Sequence, residues 1–220
     1  MSVEIDADIT TFQDVIDRLG GVPASRILLR PAPGEATEAD AIRIHEKKRV
    51  LCELVDGVLV EKGMGYVESM LAIFLAGLLQ RFVDEHNLGV VTGADGLIRL
   101  FPGMMRAPDI AFASWDRIPE STLSRQTSVP DIAPELAVEI LSRSNTDREM
   151  ERKRDDYFNA GVLVVWEVDP RSRTLVVHRR DMEPRTLGES DSLSEPELLP
   201  GFELPLQELF GKLDRKRGPA

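Results

Sequence analysis

Hydrophobic positions recur along the chain with two periods, one typical of helices and one typical of strands. In residues 11–19 the apolar side chains fall at the i, i+3, i+4, i+7 spacing of a short amphipathic helix, and Glu38–Lys48 is predicted as a second short helix. Residues 67–86 are apolar on most faces, which predicts a long, well-buried helix. Asp147–Ala160 follows short polar residues suited to capping and precedes Gly161, so a fourth helix is predicted there.

Short runs of β-branched and apolar residues predict strands between and after these helices. The predicted strands are residues 105–114, 134–142, 163–168 and Thr174–Arg179. Two Asp-Gly pairs predict two-residue hairpin turns, because both positions of such a turn require positive φ. One pair, Asp56-Gly57, joins residues 52–55 to 58–61, and the other, Asp95-Gly96, joins residues 89–94 to 97–101. The chain beyond residue 181 is predicted to be loop-like.

The order of these elements predicts a mixed α/β (α+β) fold. The helix at 147–160 stands between two predicted strands, which is the spacing of a βαβ unit. We therefore predict one domain over residues 1–220, with a central mixed sheet flanked by helices. Within it, residues 1–48 form an N-terminal helical extension, residues 49–180 the core and residues 181–220 a C-terminal extension.

Composition narrows the class of protein. The formal net charge is −11, and 42% hydrophobic with 30% charged residues is the balance of a folded domain. Cys52 is the only cysteine, which excludes intrachain disulfides and four-thiolate zinc sites and favours a reducing cytoplasm. The apolar stretches are too short for a membrane helix and the N-terminal residues lack a secretory signal, so we expect a cytoplasmic protein with no membrane partner.

The acidic balance argues against broad non-specific binding to nucleic acid, which requires a positive surface. A local basic groove is still compatible with it. Two groups of arginines are candidates to flank a phosphate path, and ordinary helix and loop charges are the alternative interpretation. They are Arg148, Arg152 and Arg154, and Arg171, Arg173, Arg179 and Arg180.

Two acidic residues stand in apolar strand segments, where a carboxylate is costly unless it is paired or binds a metal. Asp109, in MRAPDIAFAS, shares its predicted strand face with three alanines, which leave room for something to approach it. Glu139, in PELAVEILS, shares its face with Ala137 and Leu141. A turn-capping acid is the alternative interpretation for Asp109, and a buried structural ion pair is the alternative for Glu139.

Lys153 and Tyr157 are four residues apart and share one face of the predicted fourth helix. From Glu139 the strand runs about 10 Å to its end at ~3.3 Å per residue. From Thr146 to Lys153 the helix returns about 10 Å at ~1.5 Å per residue. Lys153 is therefore expected near the level of Glu139. Two carboxylates and an ammonium would then cluster, and oxygen ligands in this number suit Mg²⁺ or Mn²⁺ rather than zinc.

The set Pro108-Asp109, Glu139 and Lys153 resembles the PD-(D/E)xK nuclease superfamily. More closely, the chain resembles the Uma-two type family of restriction-endonuclease-like proteins. The matching segments are CELVDGVLVEKGMGYVES, MRAPDIAF, PELAVEILSRSNTDREMERKRDDYFNAG, VVWEVDP and LPGFELPLQELF, which together cover most of the chain. The superfamily's lysine usually stands two residues after the acid, where this chain has Leu141, and the resemblance gives its place to Lys153.

The resemblance implies a restriction-endonuclease-like core with a metal-dependent nuclease site. It implies that Asp109 and Glu139 bind Mg²⁺ (or Mn²⁺) and that Lys153 positions the attacking water. Glu53 matches a recurrent acid of the family and is a further candidate catalytic residue, with an ion pair to Lys62 of the same hairpin as the alternative. Glu68 lies near the start of the long helix, where the superfamily often places its first acid. It is a candidate metal ligand, and an acid favoured there by the helix dipole alone is the alternative.

The leading functional hypothesis is a Mg²⁺-dependent endonuclease that hydrolyses phosphodiester bonds of nucleic acid, with DNA favoured over RNA. The alternative is a non-catalytic module of the same fold that binds nucleic acid or protein, which the net charge of −11 favours slightly. A third, weaker hypothesis is a metal-dependent hydrolase of a small phosphorylated molecule. An acidic protein with a βαβ core and exposed strand edges is also expected to form a homodimer.

Overall fold

The computed structural model describes residues 11–48, 50–63, 65–119 and 129–214. The α-helices in these ranges are α1 Phe12–Arg18, α2 Glu38–Lys48, α3 Tyr66–Glu85, α4 Asp147–Ala160 and α5 Leu206–Phe210. The strands in the same ranges are β1 Cys52–Val55, β2 Val58–Glu61, β3 Gly89–Gly93, β4 Ile98–Phe101, β5 Met104–Arg106, β6 Ile110–Ser114, β7 Leu136–Ile140, β8 Val164–Asp169, β9 Thr174–Arg179, β10 Arg185–Gly188, β11 Ser192–Glu195 and β12 Leu199–Pro205. The four helices predicted from the sequence are confirmed, each to within one residue at either end.

Helix α4 begins and ends where its flanking residues predict. The side chain of Thr146 accepts a hydrogen bond from the backbone N–H of Glu149, which caps the first turn. Gly161 ends the helix with φ 98°, a left-handed conformation that favours glycine. The register of α4 is therefore fixed at both ends, and this register decides which side chains face the sheet.

A mixed sheet forms the centre of the described molecule, with the strand order β10-β9-β8-β7-β6-β3. Strands β7 and β8 are parallel, and α4 is the crossover between them. The other neighbouring strands in this sheet are antiparallel. The predicted βαβ unit and the predicted mixed central sheet are both confirmed.

A second sheet with the strand order β2-β1-β5-β4 lies beside the first. The hairpin predicted at Asp56-Gly57 is confirmed, since both residues have positive φ and β1 pairs with β2. The hairpin predicted at Asp95-Gly96 is wrong. Strand β3 pairs with β6 in the first sheet, whereas β4 pairs with β5 in the second. The Asp-Gly pair does mark a turn, but the chain changes sheet there, and local turn chemistry carries no information on the partner strand.

The single strand predicted over residues 105–114 is also wrong, because β5 and β6 belong to different sheets. The break falls at Ala107–Asp109, where Pro108 has no N–H to donate to a strand ladder. Asp109 consequently stands at the junction of the two sheets, directly before β6, rather than inside a strand.

The C-terminal region is more regular than the loop predicted for it. Strand β10 extends the central sheet, and β11 and β12 form a separate antiparallel pair. Leu204, Leu206 and Phe210 from this region are buried in the same core as the apolar face of α3. The prediction failed because short strands with polar residues at alternate positions give only a weak sequence signal.

Helix α3 is long and apolar enough to cross a membrane. In this fold Leu71, Leu75, Leu79 and Val83 on one side of it are fully buried against the central sheet. Its other faces are half-buried or exposed, so the prediction that the helix is well buried is wrong for most of its surface. The expectation of no membrane partner stays a prediction.

Residues 11–48 pack on the second sheet and on α4. Ala41 and Ile44 of α2 are buried with Cys52 and Leu54 of β1. The Arg26 guanidinium reaches α4, where it forms a buried ion pair with Glu149 at 2.9 Å. The N-terminal helices therefore hold the second sheet and α4 together.

Candidate active site

Strand β7 separates its side chains between two environments. Leu136, Val138 and Ile140 face the core that contains α3, whereas Ala137 faces the smaller cluster that contains Tyr157 of α4. By alternation, Glu139 points to the α4 side, where it is 4% exposed. A carboxylate so deeply buried requires partners.

Two side chains of α4 supply those partners, and both bind the same oxygen of Glu139. The ammonium of Lys153 lies 3.1 Å from Oε1, and the Tyr157 hydroxyl donates to Oε1 at 2.6 Å. Lys153 is therefore at the level of Glu139, as the lengths of strand and helix predict. Lys153 itself is 2% exposed, so it is a buried charge and not a solvated helix residue.

Glu53 of β1 enters the cluster from the second sheet. Its Oε1 lies 3.1 Å from the Lys153 ammonium, so Lys153 bridges two acids. Its Oε2 accepts a hydrogen bond from the Arg106 guanidinium at 2.7 Å, and the backbone N–H of Ala107 donates to Oε1 at 3.2 Å. Arg106 also binds Asp156 of α4. The alternative interpretation of Glu53, an ion pair within its own hairpin, is not the arrangement found.

Asp109 joins the cluster from the segment that precedes β6. Its Oδ2 accepts a hydrogen bond from the backbone N–H of Ile140 at 2.6 Å, and its own N–H donates to the Val138 carbonyl at 2.9 Å. These two bonds bracket Glu139, so the two acids are held side by side. The Lys62 ammonium lies 2.8 Å from Asp109 Oδ1.

The two acids near Lys153 have opposite pKa shifts. Burial raises the pKa of Glu139, and the negative charges of Asp109 and Glu53 add to the rise, while Lys153 and Lys62 only partly offset it. Burial would also raise the pKa of Glu53, but Lys153, Arg106 and Lys62 outweigh it and hold that pKa well below its ordinary value. Neighbouring carboxyls with divergent pKa values are a feature of catalytic sites, although structural ion-pair networks share it.

Lys153 and Tyr157 are both held in their protonated forms. Burial alone would lower the pKa of Lys153, but Glu139 and Glu53 raise it above the ordinary lysine value. Burial and the same two acids raise the pKa of Tyr157 well above its ordinary value. In this environment both groups donate hydrogen bonds and neither serves as a base.

The carboxylate oxygens of Asp109 and Glu139 are the candidate ligands for a divalent metal. Both hydrogen bonds to Glu139 end on Oε1, which leaves Oε2 without a donor in the described residues. Asp109 Oδ1 is buried and accepts no hydrogen bond of good geometry, although the Lys62 ammonium is close to it. Mg²⁺ commonly binds one or two carboxylates and completes its shell with waters and substrate phosphates. Asp109 and Glu139 fit such a two-carboxylate site.

Glu68 is not brought into this cluster. It is half-buried on the first turn of α3, and no hydrogen bond or ion pair within the described ranges joins it to Asp109 or Glu139. Those ranges also hold no group of three acidic, histidine or cysteine side chains arranged around a metal position. The cluster of acids forms without Glu68, and a role for it as a ligand stays a prediction.

An open cleft adjoins the cluster at the carboxyl ends of β7 and β8. Gly63 and Ser142 line it, and these residues lie one position from Lys62 and three from Glu139 in the chain. The other residues that line it are Gly65, Tyr66, Val67, Glu68, Arg143, Ser144, Pro170 and Arg171. Of these, Tyr66 is 87% exposed. Glu53, Asp109 and Glu139 themselves do not line the cleft.

Most arginines of the two predicted basic groups form ion pairs with acidic side chains. Arg152 pairs with Asp56, Arg154 with Glu167, Arg171 with Asp169, Arg173 with Glu189 and Asp214, and Arg179 with Glu195. For these residues the alternative interpretation as structural charges is the better one. Arg143, which sequence reasoning missed, is exposed on the cleft and pairs with no acid among the described residues.

Sequence reasoning missed the buried cation Arg106, and it considered Lys62 as a partner of Glu53 rather than of Asp109. Arg106 carried a usable signal, because a charge within the apolar run at 104–107 is as costly as the charge of Glu139. The contact between Lys62 and Asp109 carried none. It forms only because the end of β2 in one sheet meets the start of β6 in the other.

Comparison with known proteins identifies the family of the chain. Residues 38–207 match the model of the Uma2 family, which is described as a putative restriction endonuclease. No match is found among curated proteins. Among solved structures, the chain is similar to a putative nuclease belonging to DUF820 from Anabaena variabilis ATCC 29413, with a TM-score of 0.67 and 20% sequence identity over 75% of this chain and 92% of that one. This likeness confirms the predicted fold class.

Proposed function

The chain belongs to the Uma2 family of putative restriction endonucleases, and from that premise we propose that it is a divalent-metal-dependent nuclease acting on DNA. The site we propose is the buried cluster of Glu53, Asp109, Glu139 and Lys153. Nuclease membership follows from the family, whereas the residues, the metal and the choice of DNA are our proposal.

One observation carries the proposal. Asp109 and Glu139 are held side by side by the backbone of β7, and both hydrogen bonds that Glu139 accepts from the described residues end on Oε1. Asp109 Oδ1 is buried without a hydrogen bond of good geometry, and its contact there is with the Lys62 ammonium. A buried acceptor without a well-placed donor costs about 1–3 kcal/mol, and a cation bound at this oxygen would compensate that cost.

Asp109 and Glu139 are the residues that would hold the metal. A bound divalent cation supplies a water of lowered pKa and stabilises the charge that develops on a phosphate. The protein's part is to hold the two carboxyl groups in fixed positions. The Ile140 N–H fixes Asp109, and the Tyr157 hydroxyl with the Lys153 ammonium fixes Glu139.

Lys153 acts in this proposal as a permanently charged donor. Its raised pKa excludes it as a general base at neutral pH, so it orients and polarises the attacking water while staying protonated. Glu53 holds Lys153 from the opposite side at 3.1 Å. We therefore assign Glu53 to the positioning of Lys153 rather than to contact with substrate.

We propose that the nucleic-acid strand enters by the cleft beside α3. Arg143 is exposed there without an acidic partner among the described residues, and is suited to a phosphate contact. Tyr66 presents an exposed aromatic ring on which a base can stack. These two residues give a short positive and aromatic surface on an otherwise acidic protein.

A plasmid-nicking assay in Mg²⁺ tests the proposed activity. We expect Asp109→Ala and Glu139→Ala to lose about 10²-fold or more in rate, as for removal of a group that stabilises the transition state. Asp155→Ala is the matched control, since Asp155 is an exposed acid on α4. Equal nicking by the parent and both site variants would remove the two acids from the site.

A non-catalytic binding module of the same fold is the second candidate function. The observation that favours it is ion pairing, because each of the acids Glu53, Asp109 and Glu139 lies within ion-pair distance of a buried lysine or arginine side chain. A parent protein that binds DNA but does not nick it in Mg²⁺ or Mn²⁺ would support this alternative.

Two further expectations stay proposals. A hydrolase of a small phosphorylated molecule would bind its substrate with little salt dependence, whereas DNA binding weakens steeply as salt rises.

Assembly as a homodimer is checked by light scattering, where the expected mass is twice the 24.5 kDa of the chain.

A further inference from the structure

Of the three cations in the cluster, Lys62 is the one that contacts Asp109. It directly follows β2, and its side chain is 5% exposed beside Asp109, whose side chain is 4% exposed. The ammonium lies 2.8 Å from Asp109 Oδ1 and also donates to the carbonyl of Ala107. It therefore sits against one of the two oxygens that we assign to the metal.

We propose that Lys62 is a built-in substitute for the metal: its ammonium neutralises Asp109 while the site holds no divalent cation, and metal binding displaces it toward the cleft. This inference rests on the proposed function, since it takes Asp109 and Glu139 as the metal site.

The charges of the site favour such a release. Four acids, namely Glu53, Asp109, Glu139 and Asp156, face the three cations Lys62, Arg106 and Lys153, so a dication added without any other change would leave an excess of positive charge. The cation closest to Asp109 has to leave for the dication to bind there. The Lys62 charge also acts on Glu139, whose pKa it lowers in part. Its departure therefore frees the pair of acids together.

The local structure allows Lys62, and not Lys153, to move. Lys153 lies between two acids at 3.1 Å from each, in the middle of a helix capped at both ends. Within the described residues Lys62 has one acid at ion-pair distance, and it stands at a strand end followed by Gly63, which lines the cleft. Its four-carbon side chain is flexible, and on our proposal this flexibility moves the ammonium from Asp109 toward the cleft.

Amine labelling with acetic anhydride, read by mass spectrometry, tests the displacement without any measure of activity. In EDTA, Lys62 and Lys153 are expected to be protected, while the exposed Lys47 on α2 is labelled. In saturating Mn²⁺ we expect the labelling of Lys62 to rise about 10-fold or more, with Lys153 still protected and Lys47 unchanged. Labelling of Lys62 that is the same in EDTA and in Mn²⁺ would overturn the inference.

Calorimetry with Mn²⁺ gives the second, independent readout. Lys62→Met removes the competing cation and is expected to tighten Mn²⁺ binding about 10-fold or more, whereas Lys47→Met, with the same change of net charge, leaves it unchanged. Lys62→Gln keeps a donor for the Ala107 carbonyl, and serves the same test if the methionine variant does not fold.

The outcomes separate this inference from the proposed function. Parent binding that Asp109→Ala abolishes, with no gain in either Lys62 variant, overturns the role of Lys62 and leaves the metal site standing. Absence of Mn²⁺ binding in the parent and in both Lys62 variants overturns the metal site, and the inference with it. Binding that appears only in the Lys62 variants supports both.

Discussion

The ammonium of Lys153 lies 3.1 Å from the carboxylate of Glu53, and this ion pair joins two sheets. Glu53 belongs to β1 of the second sheet, whereas Lys153 stands on α4, the crossover helix of the central sheet. Both side chains are fully buried, so the pair is shielded from water and salt. Glu53 and Glu139, which come from different sheets, thus share one lysine.

Lys153→Met is expected to destabilise the fold by about 3–5 kcal/mol, because it leaves two buried carboxylates without their shared cation. Chemical unfolding at pH 7 measures the loss. Lys47→Met, an exposed substitution of the same kind, is expected to change the free energy of unfolding by less than about 0.5 kcal/mol. A loss no larger than that of the control would contradict the buried bridge.

Tyr157→Phe is expected to cost less, about 1–3 kcal/mol, because it removes one hydrogen bond to Glu139 and no charge. The carboxylate also loses a donor that fixes its direction. We therefore expect slower nicking than in the parent at saturating Mg²⁺, with the protein still folded by circular dichroism. Nicking at the parent rate would show that Lys153 alone is sufficient to orient Glu139.

Glu53→Gln is expected to change how stability depends on pH. The pKa of Glu53 is held below its ordinary value of 4.5, so the ionised carboxylate stabilises the fold above that pH. This contribution is lost as pH falls below 4.5 toward the lower folded-state pKa. The pKa of Glu139 is raised, so its contribution has the opposite sign and is lost as pH rises through the folded-state value.

Urea unfolding between pH 3 and 7 measures the effect of Glu53→Gln. We expect a loss of about 3–5 kcal/mol at pH 7 and a shallower decline on the acid side than in the parent. Glu61→Gln, an exposed change in the neighbouring strand, is the control and is expected to follow the parent curve. An acid limb as steep as the parent's would show that Glu53 is not a source of the dependence.

Arg143→Ala is expected to weaken DNA binding for all sequences alike, and to reduce the slope of log K against log salt by about 1, as for one lost phosphate contact. Its melting temperature is expected to match the parent's, because the side chain is exposed. Arg81→Ala is the control, since Arg81 is exposed near the other end of α3. Equal slopes in both variants would place the DNA elsewhere.

The sequence was informative where the signal is local. The helices, the Asp56-Gly57 hairpin and the βαβ unit follow from periodicity, caps and turn residues, and the structure confirms each of them. The meeting of Glu139 and Lys153 was also predictable, because it depends only on the lengths of one strand and one helix that fold back on each other.

The features that could not be predicted from the sequence are contacts between segments that are distant in the chain. The Asp95-Gly96 turn sends the chain into another sheet, and the position of Asp109 depends on the break at Pro108. Lys62 and Arg106 enter the cluster only where the two sheets meet. Pairing between strands distant in sequence leaves no periodic trace in either strand, so the contacts of Lys62 with Asp109 and of Arg106 with Glu53 could not be predicted.

The position of Asp109 at the junction of the sheets has a consequence for how the two sheets are held together. Asp109 accepts a hydrogen bond from the backbone of β7 in the central sheet, and it contacts Lys62, which follows β2 of the second sheet. Glu53 of the second sheet likewise contacts Lys153 of α4. The charged side chains of the candidate site therefore also join the two sheets, and a substitution that removes one of them is expected to loosen the contact between the sheets as well as to change the site.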